Sequence, residues 1–373
     1  MKSSTPPLLL SAFSTFSVGG PQVRFCTLAN HYCRRLRHVI VAMDDKFDCK
    51  SRLAADLDVT YIPIDNRKGD TIGNRRRFRA VLRSLQPDCL VTYNWGAIEW
   101  AMANWPRLAR HVHIEDGFGR EEADRQFPRR VLARRLLLRG SEVCVPSLQL
   151  ERIAAKFWKI RPTALHYIPN GIDCTRFTDP NVSPLFTGDG RPVLGTLAAL
   201  RPEKNLVRLL DAFRLVHEEV ECRLVIAGDG PDRTRLEKHV AEIGLRDAVL
   251  FTGHREDAER VYATLDIFVL SSDTEQMPTT VMEAMAAALP VVATAVGDVK
   301  TMLALENLPF VVAPDSRELA RALRTLLADE ILRQKIGTAN RARARSEFGQ
   351  DKMFAAYGAL FLNGQMRTAK VGD

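Results

Sequence analysis

Short apolar runs alternate with longer helical stretches along the first half of the chain. The runs fall at residues 8–13, 39–42, 89–93 and 111–114. Buried strands separated by helices are typical of a parallel sheet with helices on its faces. The pattern therefore predicts an α/β domain over residues 1–170.

The second half shows the same alternation more regularly. Residues 205–217 place several apolar side chains on one helical face, as an amphipathic helix does. We therefore expect a second doubly wound domain over residues 193–349. Its predicted strands lie at 193–197, 224–227, 249–252, 267–270, 291–293 and 310–312.

Prolines and glycines concentrate between the two halves, which predicts a linker over residues 171–192. Two doubly wound domains that face each other form a cleft. The carboxyl ends of their strands would supply its ligand contacts.

The composition narrows the function classes. Hydrophobic residues are 46% and charged residues 26% of the 373 positions. This balance excludes a disordered chain, a collagen and a small disulfide scaffold, and no apolar run approaches the ~18 residues of a membrane span. Residues 1–170 carry a net charge of +12 and the remainder −4. A basic half suits nucleic acid, anionic lipid or a phosphorylated ligand.

The start of the chain and the cysteines bear on its location. The three-leucine run within residues 1–10 is too short for the core of a signal peptide. The seven cysteines are scattered, and none forms a Cys-x-x-Cys pair. Both features predict a cytoplasmic protein with reduced thiols.

The sharpest candidate for chemistry is a segment with two glutamates eight positions apart, Glu275 and Glu283. A helix predicted after Pro278 would point its unbonded amides at a ligand, and amides with a helix dipole suit a diphosphate. Glu283 would then accept hydrogen bonds from a ribose, and Glu275 would address a sugar hydroxyl. The spacing of Thr280 and Glu283 also fits a capping box, which would give that carboxylate a structural role.

Three further clusters follow predicted strands. Arg201 and Lys204 can clamp phosphates, although they also fit a charged helix start. Gly19 and Gly20 permit close approach of a ligand or make an ordinary turn. The third cluster consists of three polar residues that suit either binding of the hydroxyl of an acceptor substrate or a tight turn: Asn94, Glu115 and Asp116.

Several motifs fail. Gly228-x-Gly230 follows a strand, but the third position of a dinucleotide fingerprint is Arg233. There is no Walker A loop and no His-Glu-x-x-His motif. The lone pair Asp56 and Asp58 is too weak to predict a metal site, so none is expected.

The candidate motifs of the two halves, taken in their order along the chain, resemble those of the family-four retaining glycosyltransferases, which have a GT-B fold. The resemblance covers the second domain almost throughout and the first in outline. The motifs that carry it are Gly19-Gly20, residues 168–173, 202–205, 227–231, 275–286 and 290–293.

The resemblance implies a nucleotide-sugar donor held mainly by the second domain. The Lys204 position contacts the diphosphate, the Glu283 position holds the ribose, and Glu275 with the following amides holds the transferred sugar. It implies retention of the anomeric configuration, no cofactor and no obligatory metal. Final helices of the family cross back to the first domain, as residues 350–373 would here. The implied donor residues are Gly19, Gly20, Arg201, Lys204, Gln276, Met277, Thr279, Thr280 and Glu283.

Some positions depart from the family pattern. The arginine that often precedes the lysine by five residues is Ala199, and Arg201 is the substitute we expect. Three positions where the family usually has glycine carry other residues, namely Gln276, Ala288 and Asp298. Where the family frequently has a histidine on the acceptor side, the nearest match is Asp116. We expect the catalytic residues to be Asp116, Lys204 and Glu275.

The leading hypothesis is transfer of a hexose to a lipid-linked or saccharide acceptor in cell-surface polysaccharide or glycolipid synthesis. A nucleotide-sugar 2-epimerase of the same fold is the alternative enzyme. A binder of nucleic acid or anionic surfaces is the alternative from another class, although no nucleic-acid module is present and we expect no nucleic acid.

A final pattern concerns membranes. Four arginines share one face of a predicted helix: Arg75, Arg76, Arg79 and Arg83. They form either a solvated face or a peripheral docking site on anionic inner-membrane lipid. A second basic stretch at 129–139 mixes arginines with large apolar residues.

Overall fold

The computed structural model describes residues 5–118, 122, 126–186 and 189–362. The chain divides into two compact units. The first contains the described residues up to Pro169 and those from Met353 onward, and the second runs from Asn170 to Lys352.

The first unit is built on a seven-stranded parallel sheet in the order β3-β2-β1-β4-β5-β6-β7. Its strands are β1 Leu8–Phe13, β2 Arg37–Ala42, β3 Val59–Tyr61, β4 Cys89–Tyr93, β5 Arg110–Ile114, β6 Glu142–Val145 and β7 Leu165–Tyr167. The helices between them are α1 Gly20–Tyr32, α2 Thr71–Leu85, α3 Ile98–Ala103, α4 Pro128–Leu137 and α5 Leu148–Lys156.

Helices cover both faces of this sheet because its strands are apolar on both sides. In β1, Leu9 faces the core that α1 completes, whereas Leu10 faces the core completed by α2 and α3. The local sequence explains α2 in particular. The Asp70 carboxylate accepts a hydrogen bond from the Gly73 amide at 2.9 Å and caps the helix. About two turns further along α2, the buried Phe78 ring stacks on Trp100.

The second unit carries a six-stranded parallel sheet in the order β10-β9-β8-β11-β12-β13. Its strands are β8 Val193–Leu197, β9 Arg223–Ala227, β10 Val249–Gly253, β11 Ile267–Leu270, β12 Val291–Thr294 and β13 Val311–Val312. Its helices are α6 Leu206–His217, α7 Arg233–Glu242, α8 Ala258–Tyr262, α9 Thr279–Ala286, α10 Val299–Met302, α11 Ser316–Ala328 and α12 Glu330–Glu347.

The last described helix, α13 Gln350–Phe361, begins in the second unit and ends in the first. Its apolar side chains join the first-unit core beside α1, where Phe354 stacks on His31. Residues 171–192, the proposed linker, belong to the second unit, where the Ile172 amide donates to the Phe348 carbonyl at 2.9 Å.

Both sheets reverse their strand order at one point, between β1 and β4 in the first unit and between β8 and β11 in the second. Loops that leave the sheet in opposite directions separate there, so ligands of open α/β sheets bind at the carboxyl ends of those strands. Both units are therefore doubly wound α/β domains, which confirms the predicted fold class. No helix among the described residues is long and apolar enough to cross a bilayer.

Candidate functional site

The reversal point of the second unit joins the loops that follow β8 and β11. The Lys204 Nζ atom donates to Glu275 Oε1 at 2.6 Å, and the Ser272 hydroxyl reaches the same oxygen at 2.7 Å. Both side chains are partly exposed, with Glu275 the more buried at 9%. Two residues that the sequence predicted separately are therefore in contact, as a cation and an anion at the carboxyl edge of the sheet.

Hydrogen bonds around this pair hold the two loops together. Asn205 adopts a left-handed backbone with φ of 43° and caps α6 through its side chain. Its amide nitrogen and the guanidinium of Arg208 both bind the carboxylate of Asp273, and Arg208 also donates to the Ser271 carbonyl at 2.8 Å. The Asp273 amide donates to the Glu203 carbonyl at 2.9 Å. Lys204 is therefore presented from a rigid turn rather than from a loose loop.

The Gly228-x-Gly230 motif after β9 allows close packing against the loop that follows β8. A Cβ atom on Gly228 would lie 1.9 Å from the Ala198 carbonyl oxygen, and one on Gly230 would lie 2.5 Å from that of Leu200. Gly228 also has a φ of 138°, which side chains rarely adopt. These glycines let the loop after β9 pack on the backbone that leads to Lys204, which is a structural role.

The amino-terminal end of α9 lies directly beyond Glu275. The helix begins at Thr279 after Pro278, and no described side chain caps it. The Val281 amide donates to the Pro278 carbonyl at 3.2 Å, whereas the amides of Thr279 and Thr280 precede the first intrahelical bond, and the helix dipole favours an anion there. Thr279 is exposed, whereas Met277 is buried and its carbonyl accepts from Asn170 Nδ2 at 3.3 Å.

Glu283, one turn into α9, contacts Tyr262. The tyrosine hydroxyl lies 2.8 Å from Glu283 Oε2 and 3.1 Å from the Thr280 carbonyl oxygen. Burial is the largest influence on this carboxyl and raises its pKa to about 7, although the tyrosine hydrogen bond acts in the opposite direction. The capping-box alternative is wrong, because the residue that precedes the helix is Pro278 and Thr280 already lies inside it.

The departures from the family pattern have visible consequences. Ala288 follows α9 with a φ of 59°, so the backbone keeps the left-handed turn that a glycine would adopt without strain. Gly297 has a φ of 53°, and a Cβ there would lie 2.2 Å from the Glu275 carbonyl oxygen. The neighbouring Asp298 amide donates to the Gln276 carbonyl at 3.0 Å. The turn around Glu275 thus retains its close packing.

Arg201 lies two residues beyond Ala199 and is exposed. Its side chain makes no hydrogen bond or ion pair with any residue of the described ranges. It is available to an anion, and whether it substitutes for the missing arginine stays a prediction.

In the first unit, α1 begins at Gly20, Gly19 precedes it, and a short loop separates both from the end of β1 at Phe13. Gly19 is extended, and a Cβ on Gly20 would meet no atom within 4 Å. The backbone here therefore does not require glycine for its own conformation. A Cβ on Gly19 would lie 2.7 Å from the Gln22 Oε1 atom, and close approach of a ligand to the pair stays a prediction.

Asp116 is held by a residue that the sequence did not single out. The Arg24 guanidinium binds both of its carboxylate oxygens, at 2.5 and 2.9 Å, and both side chains are largely buried. The Asp116 amide donates to Asn94 Oδ1 at 2.7 Å. These three residues come from α1 and from the ends of β4 and β5, at the reversal point of the first sheet. No motif marked Arg24, because its role depends on a pairing 92 residues away.

Glu115 differs from its neighbour. Its side chain is fully buried, and Oε2 accepts from Arg134 Nε at 3.0 Å. The Arg134 guanidinium lies between the rings of Trp95, Phe118 and Trp158. This placement leaves Glu115 no exposed oxygen for an acceptor, so the expectation of an acceptor contact is corrected to a structural role.

The arginines of α2 also require a correction. Arg75 donates to the Trp105 carbonyl at 2.9 Å, and Arg79 donates to the Ala103 carbonyl at 2.8 Å. These bonds tie α2 to the end of α3 and to the segment after it, so two of the four arginines have an internal role. Arg76 and Arg83 remain exposed.

Comparisons with known proteins agree with this fold. Residues 18–176 match the family Glycosyltransferase Family 4, and residues 180–343 match Glycosyl transferases group 1. Among solved structures, Anabaena HepE, crystallised with UDP and glucose, superposes with a TM-score of 0.79 over 96% of this chain and 100% of its own, at 20% identity. A Rickettsia africae glycosyltransferase gives 0.78 over 96% and 98%, at 16% identity.

Curated relatives match over shorter stretches. The N-acetyl-alpha-D-glucosaminyl L-malate synthase of Bacillus anthracis is 25% identical over 174 residues, which are 46% of each chain. The GDP-mannose-dependent alpha-mannosyltransferase of Mycolicibacterium smegmatis is 32% identical over 178 residues, 46% of this chain and 44% of the relative. The matched stretches thus span less than half the length of either relative.

The two doubly wound units and their structural neighbours define a protein with the GT-B fold. Since the two family matches together cover most of the sequence, the chain belongs to the glycosyltransferases that combine a family-4 domain with a group-1 domain.

Proposed function

We propose that this protein transfers a hexose from a nucleotide-diphosphate sugar to a saccharide or lipid-linked acceptor in the synthesis of a cell-surface polysaccharide or glycolipid. The observation that carries the proposal is the contact of Lys204 with Glu275 next to the uncapped start of α9. A cation, a carboxylate and a set of amides at one sheet edge suit a ligand with both phosphates and hydroxyls. The structure of HepE with UDP and glucose supports the same donor class.

The chemistry assigned to the second unit is stabilisation of a leaving group. As the bond between the sugar carbon and the diphosphate breaks, negative charge grows on the phosphate oxygens. The Lys204 ammonium and the first amides of α9 would donate hydrogen bonds to those oxygens. Glu275 would accept from a hydroxyl of the transferred sugar, and Glu283 would accept from the ribose.

The proposal includes retention of the anomeric configuration and needs no obligatory metal or cofactor. Lys204 and the exposed Arg201 supply positive charge of the kind that a divalent ion gives elsewhere. The cytoplasm is the proposed location, and the seven cysteines, which are all free thiols, support it.

The function is tested by a thermal-shift panel of nucleotide sugars followed by product analysis. A true donor at 100 times its dissociation constant stabilises the folded state by ~2.7 kcal/mol. Release of nucleoside diphosphate together with a glycosylated acceptor supports the proposal. Conversion of the donor to its 2-epimer would favour the epimerase instead. Stabilisation by polynucleotides and by no nucleotide sugar would favour the binding protein.

The first unit is proposed to bind the acceptor, with Asp116 as its catalytic carboxylate. Asp116→Asn should lower the rate of transfer by about 10²-fold, the lower range for loss of a proton-transferring group. Donor affinity, measured by calorimetry, should stay within twofold. Asp65→Asn is the control, because Asp65 is an exposed partner of Arg67 in the same unit. An equal loss of donor affinity in Asp116→Asn would contradict the assignment.

A further inference from the structure

Helix α4 presents an unusual exposed face. Leu132 and Leu136 are 55% and 65% exposed, although leucines of a helix normally face the core. Arg129 and Arg135 are exposed next to them in the sequence. At 100° per residue, these four positions fall within an arc of about 120°, so they form one surface.

The opposite face of α4 accounts for the packing of the helix. Arg134 is fully buried against Glu115, and Arg130 pairs with Glu122 at 2.7 Å. Leu138, directly after the helix, is also fully buried. The internal contacts of α4 are therefore made by one side, and the exposed leucines are not needed for them.

The charge of the exposed face is uniform. Residues 126–141 contain five arginines and no acidic residue. Arg130 and Arg134 are neutralised internally, whereas Arg129, Arg135 and Arg139 make no hydrogen bond or ion pair within the described part of the chain. A field of three positive charges with two apolar side chains between them calls for a partner that is anionic and can accept apolar groups.

The exposed apolar area extends beyond the helix. Arg107 donates to the carbonyl of Gly140, which follows α4, so the segment after α3 lies beside the end of α4. This segment carries Trp105, which is 65% exposed, and Leu108, which is 38% exposed. Tryptophan is favoured where one environment is apolar and the next is wet.

We propose that this α4 face, made of Arg129, Leu132, Arg135, Leu136 and Arg139, docks on an anionic lipid bilayer. Lipid phosphates would pair with the arginines, and the leucines would enter the boundary between headgroups and acyl chains. A second copy of the chain is disfavoured, since a two-fold contact would set arginines against arginines. Nucleic acid would pair with the arginines but leave the leucines in water. The proposal does not depend on the glycosyltransferase activity.

The test is sedimentation with vesicles of 70% phosphatidylcholine and 30% phosphatidylglycerol, compared with phosphatidylcholine alone. The wild-type protein should bind the anionic vesicles at low salt and release them as salt rises, because screening shortens the attraction. Each basic residue at such a surface contributes about fivefold, so Arg129→Gln with Arg135→Gln and Arg139→Gln should weaken binding about 100-fold. Leu132→Ser with Leu136→Ser should weaken it by a similar factor at every salt concentration.

The matched control removes the same charge from the second unit. Arg246, Arg317 and Lys335 are exposed and make no side-chain hydrogen bond or ion pair with a described residue, so their triple glutamine variant should bind vesicles like the wild type. Equal losses of vesicle binding in the control and the α4 arginine variant would overturn the proposal. It would also be overturned if the wild-type protein did not bind anionic vesicles. A leucine variant with undiminished binding would also overturn it. If Arg76→Gln with Arg83→Gln abolishes binding and the α4 variant does not, the surface is α2 instead.

Discussion

Lys204→Ala should lower the rate of sugar transfer by about 10²- to 10³-fold, the loss typical for one preorganised donor to developing charge. The reason is the position of the ammonium group, which a capped turn holds at the reversal point of the second sheet. The measurement is turnover at saturating donor and acceptor, once the panel of nucleotide sugars has identified the donor.

Two variants separate this effect from loss of structure. Lys238→Ala removes an exposed lysine of α7 and should leave turnover unchanged. Glu275→Gln keeps the size of the partner of Lys204 but removes its charge. It should preserve binding of free nucleoside diphosphate, because the ammonium is then no longer neutralised, while transfer falls. Wild-type turnover in Lys204→Ala would remove Lys204 from the proposed mechanism.

The contact of Lys204 with Glu275 also has a mechanistic consequence. A diphosphate that binds the ammonium must compete with a carboxylate 2.6 Å away. Exchange of one anion for the other would release Glu275 toward the sugar. Binding of the phosphates and orientation of the sugar would then be coupled through one ion pair.

The sequence predicted most of the fold, because both sheets are parallel and buried. Such strands consist of continuous apolar runs, and the predicted runs 8–13 and 193–197 coincide with β1 and β8. The loops after these strands were predicted by their glycines and charges. The reversal points then follow from topology, since each first strand has neighbours on both sides.

What the sequence could not provide is the use of each charged side chain. Glu115 and Asp116 are adjacent in the sequence, yet Glu115 is buried against Arg134 and Asp116 pairs with Arg24. Successive residues near the end of a strand point in opposite directions, and only the structure shows what each meets. The same limit applies to α2, where helical spacing grouped four arginines of which two bind backbone carbonyls.

Tyr262 was missed for a similar reason. It lies 21 residues before Glu283, at the end of α8, in a segment without a motif. Its contact with Glu283 depends on the packing of α8 beside α9. The structure shows that the Glu283 carboxylate contacts a buried tyrosine hydroxyl.

Because Glu283 is proposed to hold the ribose of the donor, donor affinity is expected to depend on pH. The pKa of Glu283 is about 7, chiefly because burial disfavours the carboxylate, with Glu259 acting in the same direction and Tyr262 and Arg176 against it. In the proposed contact the ionised carboxylate offers both oxygens as acceptors to the ribose hydroxyls, whereas protonation turns one of them into a donor. Affinity should therefore rise about tenfold between pH 6 and pH 8 and level off above, as the ionised fraction does.

Glu283→Gln should remove that dependence and weaken donor binding by roughly 10- to 100-fold at pH 8, since hydrogen bonds to a charged group contribute ~1.5–3 kcal/mol. Calorimetry with a nucleotide sugar is the measurement, because its diphosphate has no terminal phosphate that titrates near pH 6. The melting temperature at pH 8 should stay or rise, since a carboxylate whose pKa is raised in the folded state costs stability above pH 7. A variant that binds like the wild type but melts lower would give Glu283 a structural role instead.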